Sequence, residues 1–168
     1  IMFFVIIIRV IIPCIEFFNI AMFDLPIDLP KPTQAPPAIV EECIRFNSQH
    51  FGIPELALEA ILDVEGGKMC TVSKNSNGSY DLGLVQINTI NFNQIKKNYP
   101  DVTAKDIACK PCLNITLGAW LLSHRIKETK DIWTGVGNYH SKTPKYRTRY
   151  LKRISSAISR IIKKNESK

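Results

Sequence analysis

The sequence predicts a single, mainly α-helical domain, and three observations carry that expectation. Apolar residues recur at i, i+3, i+4 and i+7 through several segments, the spacing of one helix face. Helix punctuation flanks them, with Pro54 and Pro144 at candidate first turns and Gly52 and Gly66-Gly67 at candidate ends. Strand signals are weak throughout. At 168 residues the chain has the length of one ordinary domain, enough to bury a core. Its 45% hydrophobic and 22% charged content is that of a globular protein, not a disordered one.

Residues 1–22 are strongly apolar but are interrupted by Arg9, Pro13 and Glu16, so a stable bilayer-spanning helix is not expected. They read as a signal peptide or N-terminal anchor, which implies export. Residues 23–37 carry Pro26, Pro30, Pro32, Pro36 and Pro37, the composition of an extended linker. A helix then opens at Ala38, with Ile39, Cys43 and Phe46 on one face, and ends near Phe51-Gly52. The next starts after Pro54 and places Leu58, Ile61, Leu62 and Glu65 together, while Glu59 and Asp63 project from another side. Residues 68–81 read as a loop turning at Asn77-Gly78. Asp81 to Asn88 are too short and Gly-broken for a long element. Ile90 to Tyr99 reads as a short helix closed by Pro100. Cys112 to Lys127 is the clearest helix, with Leu113, Leu117, Trp120, Leu121 and His124 in one stripe. His124 fits a packed, hydrogen-bonded residue at the core edge better than a ligand. Trp133 to Tyr139 forms another helical segment. Thr143-Pro144 starts the last helix, whose apolar positions are Leu151, Ile154, Ile158, Ile161 and Ile162.

The formal net charge is +7, and from His140 onward ten Lys or Arg residues face one acid, Glu166. A solvated helix face with a basic tail is the simpler reading, and attraction to a polyanion the functional one. No zinc-finger, RNP or helix-turn-helix signature is present, so no specific nucleic-acid partner is expected. Repeats and Gly-rich phosphate loops are also missing. Of five cysteines, Cys14 lies in the apolar N-terminal stretch, leaving Cys43, Cys70, Cys109 and Cys112. Beside an export signal, four cysteines read as two disulfides. The rival is a four-cysteine zinc site, and only Cys109-Lys110-Pro111-Cys112 has its ligand-pair spacing. No metal and no cofactor are expected.

Glu65 carries the chemistry. It ends an apolar stripe, where a carboxyl loses hydration on ionising, so its pKa rises and it can donate a proton near neutral pH. The alternative is a helix-end acid whose head turns to water.

Two stretches point further. Glu65-Gly66-Gly67 is followed by Asn75-Ser76-Asn77-Gly78-Ser79-Tyr80-Asp81-Leu82-Gly83-Leu84-Val85-Gln86-Ile87-Asn88, and later by Val136-Gly137-Asn138-Tyr139-His140-Ser141. These ordered motifs closely resemble the lytic transglycosylase (SLT) domain, over roughly residues 38–152, with 153–168 left as a basic helix end and tail. Cys112-Leu113-Asn114-Ile115-Thr116-Leu117-Gly118-Ala119-Trp120-Leu121-Leu122 looks like the branch serving conjugation, type III and type IV secretion and pilus assembly. The resemblance implies a small lysozyme-like helical domain with a substrate cleft that acts on the glycan strands of peptidoglycan, beside components of such a machine. It implies that Glu65 is the catalytic acid/base, that Gln86 helps hold the sugar chain in the groove and that Tyr139 lies near the catalytic carboxyl; Asn88 and Asp81 are read as further substrate-binding residues. It also implies that Cys43 pairs with Cys112, leaving Cys70 with Cys109.

Three departures stand out. Gly66 replaces the family's Ser, removing a hydrogen bond that orients the acid. Val85 replaces Met, stiffening the groove wall, and His140 replaces Asn. Asp81 has two readings, a cap for the turn before Gly83 or a second carboxylate that would make the protein a lysozyme-type hydrolase. A non-catalytic wall-binding module is a further alternative.

Overall fold

The computed structural model describes residues 29–167. The apolar stretch 1–22, with Cys14, and residues 23–28 of the linker lie outside the described residues. Among the described residues seven α-helices and one small sheet follow in order. They are α1 (Pro37–Phe51), α2 (Glu55–Glu65), β1 (Val72–Lys74), β2 (Tyr80–Leu82), β3 (Ile87–Asn88), a 3-10 turn (Thr89–Asn91), α3 (Phe92–Asn98), α4 (Ala104–Cys109), α5 (Pro111–Thr129), α6 (Ile132–His140) and α7 (Pro144–Glu166). Among the described residues no helix is long and apolar enough to cross a membrane.

The core forms around α5, which has too many apolar residues for a single stripe. Asn114, Ile115 and the whole run Leu117 to Ser123 are buried, because α1, α4 and α6 all lie against it. His124 closes the stripe at the core edge, its Nδ1 donating to the Trp120 carbonyl at 2.8 Å. Asn114 is fully buried, and its amide is used three ways. Nδ2 donates to the carbonyls of Leu82 and Ile107, each at 2.9 Å, while Oδ1 accepts the Val85 N–H at 2.8 Å. A buried amide so satisfied fixes its neighbours, and here it ties β2 and the turn after it to α4 and α5. The α2 and α7 helices pack against each other.

The observed structure departs from the sequence reading in four places. On α1 the buried stripe is Cys43, Ile44 and Asn47, whereas Ile39 and Phe46 are 41% and 61% exposed. The disulfide between Cys43 and Cys112 turns that face toward α5, and Phe46 instead stacks on His50. The stretch 68–81 is not all loop. β1 and β2 pair antiparallel around the Asn77-Gly78 turn, with Val72 opposite Leu82 and Lys74 opposite Tyr80, and β3 adds to the other edge of β2. Helix α4 has no counterpart in the sequence reading. Its start is a capping box, in which Thr103 accepts the Asp106 N–H and Asp106 accepts the Thr103 N–H. Finally, residues 29–36 are not a free spacer. Ala35 is buried, and Thr33 and Met69 exchange backbone hydrogen bonds of 3.2 and 2.9 Å.

Candidate functional site

Glu65 is the last residue of α2. Leu58 and Ile61 bury the same face, and Leu62 is partly buried beside them. Gly66 then stops the helix in the left-handed region at φ 60°, donating its N–H to Leu62 O. That conformation suits Gly and would strain a Ser at this position. Orientation of the acid comes from elsewhere. The Tyr150 hydroxyl, from α7, donates to Glu65 Oε1 at 2.7 Å. Burial pushes the Glu65 carboxyl above its ordinary range. The Tyr150 hydrogen bond and the Arg153 charge oppose this, and the Asp81 charge adds to it. Arg153 is held in place by its own bond to the Val64 carbonyl at 2.6 Å.

The sheet supplies the second side. Asp81, in β2, does not cap the turn before Gly83, because the Gly83 N–H goes to Thr71 O. Instead its two carboxylate oxygens accept from Asn75 Nδ2 at 2.9 Å and Asn88 Nδ2 at 2.7 Å. Both amides also reach Ser79 Oγ, so the hairpin locks its polar side chains together. Gln86 adopts a positive φ of 49° and donates from Nε2 to Gly83 O at 2.6 Å. The turn lies directly against Gly67. A side chain there would strike the Gly83 and Leu84 carbonyls, so only glycine allows the approach.

Helix α6 supplies the third side. Tyr139 donates its hydroxyl to the Val85 carbonyl at 2.9 Å. Burial, together with the Glu65 and Asp81 charges, holds the Tyr139 phenol protonated far above the ordinary range. Val85 is 4% exposed and sits under Gly118, so it belongs to the core and is not a groove wall. His140 stacks flat on Tyr150, with ring centroids 4.6 Å apart. Its pKa is lowered, chiefly by burial, then by Arg153, with Asp81 opposing.

These groups open onto one cleft of about 760 Å³. Glu65, Asp81, Gln86, Asn88 and Tyr139 all line it, so the five residues singled out in the sequence come together. The structure also forms both disulfides, Cys43–Cys112 and Cys70–Cys109, the second bracing the loop that follows Glu65. Among the described residues no cluster of His, Cys, Asp or Glu could hold a metal ion. Sequence reasoning missed Tyr150, which is 1% exposed, and Asn75. Tyr150, Ile154, Ala157 and Ile161 recur at i, i+4, i+7 and i+11, a stripe that includes the tyrosine and that Leu151 had obscured.

A carboxyl desolvated at a helix end and facing a polar cleft is the arrangement of a general acid in a helical enzyme. The chain belongs to the family described as "Transglycosylase SLT domain", whose model matches residues 42–159. Members of that family are lytic transglycosylases acting on peptidoglycan. Among similar proteins, "Invasion protein IagB" of Salmonella typhimurium is 36% identical over 118 residues, 70% of this chain and 72% of that protein. "Protein IpgF" of Shigella flexneri is 27% identical over 124 residues, 73% of this chain and 80% of that protein. A "Peptidoglycan-binding-like protein" of Escherichia coli O157:H7 is 28% identical over 159 residues, 89% and 92% of the two chains.

Proposed function

We propose that the protein cleaves the β-1,4 bond between N-acetylmuramic acid and N-acetylglucosamine and leaves a 1,6-anhydromuramyl end. The carrying observation is Glu65, a carboxyl desolvated at the end of an apolar stripe, hydrogen-bonded by Tyr150 and facing the cleft. Its proton passes to the bridging oxygen as the anomeric C–O bond breaks and positive charge builds at the anomeric carbon. The muramyl C6 hydroxyl then bonds to that carbon and returns its proton to Glu65. An internal nucleophile of this kind has a large effective molarity, so one carboxylate suffices. Gln86, Asn88, Asp81 and Tyr139 hold the sugar chain beside it.

One observation favours a second reading. Asp81 is not a turn cap but a carboxylate fixed by two amides in the same cleft. In a lysozyme-type hydrolase it would bond to or stabilise the anomeric carbon, and water would complete the reaction. Product analysis of digested sacculi separates the two. Wild type yielding 1,6-anhydro ends, with Glu65→Gln inactive and Asp81→Asn still forming anhydro ends, is the outcome for a transglycosylase. Reducing ends that vanish in both variants would make the protein a hydrolase. Wall remodelling that survives Glu65→Gln would leave only a binding module.

The setting proposed is local opening of the wall for a secretion, conjugation or pilus machine in the periplasm. It is supported by the likeness to an invasion protein and by two disulfides, which persist in oxidising compartments.

A further inference from the structure

The walls of the cleft differ in charge. The sheet side presents Asn75, Ser79, Asn88 and Asn91, amides and a hydroxyl that suit neutral sugars, together with the amide-bound carboxylate of Asp81. The helical side presents Arg125 from α5 and Lys142 from the connection between α6 and α7. Both cations converge on one acid, Glu128. Arg125 Nη1 lies 3.1 Å from Oε1, and Lys142 Nζ lies 3.0 Å from Oε2. Two cations sharing one carboxylate leave the cluster with a net charge of +1. The acid does not line the cleft, whereas both cations do. The Arg125 side chain is only 23% exposed, so its guanidinium is fixed against the protein instead of trailing in water.

Neutral N-acetylated sugars give such cations little to bind. In peptidoglycan the carboxylates sit on the peptide stems, which hang from the lactyl group of the muramyl sugar. We propose that Arg125 and Lys142 form a carboxylate-binding subsite for the peptide stem, so that peptide-bearing strands are preferred over bare glycan. This rests on the reading of the cleft as a glycan site. Glu128 then acts as an internal competitor, occupying both cations until a stem carboxylate displaces it. A fixed guanidinium beside a mobile ammonium suits this exchange, because the guanidinium offers a planar fork and the ammonium a movable charge.

The test measures affinity in the full chain carrying Glu65→Gln, so that binding is decided whether or not the proposed chemistry holds. The two probes are peptide-bearing glycan strands and the same strands after amidase removal of the stems, with the lactyl carboxylates that the amidase exposes capped as methyl amides. The expected result is about tenfold tighter binding of the peptide-bearing strands, weakening as salt rises. Arg125→Gln with Lys142→Gln brings the ratio to about one, and Lys142→Arg keeps it. Glu128→Gln raises the ratio, because the competing carboxylate is gone. A brace role for the cluster predicts the opposite, with Glu128→Gln lowering the ratio alongside the cation variants. That result would overturn the proposal, as would equal affinity of the parent protein for the two probes. Absence of cleavage by the Glu65-containing protein on either probe would instead sink the proposed function and leave the binding ratio to decide the subsite.

Discussion

At the scale of single residues, the acid and the tyrosine that holds it make opposite contributions to one titration. Burial raises the Glu65 carboxyl, and the Tyr150 hydroxyl pulls it part of the way back. A general acid works protonated, so activity falls as pH rises through its pKa. Tyr150→Phe removes the lowering bond. The alkaline limb of the pH–rate profile is therefore expected to move to higher pH, while kcat drops about tenfold as the acid loses its anchor. The same raised pKa fixes the sign of a stability effect. Glu65 contributes fully while protonated, and that contribution is lost as pH rises through the folded-state value. Glu65→Gln should accordingly melt above wild type at neutral pH, with the gap closing below about pH 4, as thermal scans across pH would show. Glu65 was legible in the sequence because its apolar neighbours recur at helical spacing. Tyr150 was not, because it lies 85 residues away and no local pattern marks the pairing.

At the scale of elements, legibility followed periodicity. α2, α5 and α7 each repeat an apolar position over two turns or more; α2 and α5 were found close to both observed ends, and α7 at its start. The strands hold two or three residues apiece, too few for an alternation to show. Yet this small sheet carries Asp81 and Asn88 into the cleft, so much of the site's geometry was hidden along with it. On α1 the chosen face was wrong because Ile39 and Phe46 shared a spacing with Cys43, and the disulfide decided which neighbours were buried. α4 was readable in principle, through Thr103 and Asp106 three residues apart. The bond between Cys70 and Cys109 spans 39 residues and holds the segment between α2 and the sheet against α4. Replacing both by Ser should lower stability by up to about 4 kcal/mol in denaturant titrations. It should also open the 66–72 segment to protease before the helices yield, which timed digestion would resolve.

At the scale of the whole molecule, the site is assembled from distant parts of the chain, so the last helix is indispensable. α7 runs unbroken past residue 152 and buries Ile154 and Ala157, while Arg153 and Arg160 reach back to Val64 and Asp63 at the end of α2. A chain stopped after Lys152 keeps Tyr150 but loses these contacts. Removing one buried Ile-sized side chain alone costs about 2–5 kcal/mol, a large share of an ordinary domain's stability. Such a truncation should lose its cooperative thermal transition by circular dichroism, whereas removal of residues after Ile162 should leave it. The paired backbone bonds between Thr33 and Met69 have a mechanical meaning as well. A tug on the leading strap would reach the lip beside Cys70 before it reached any helix.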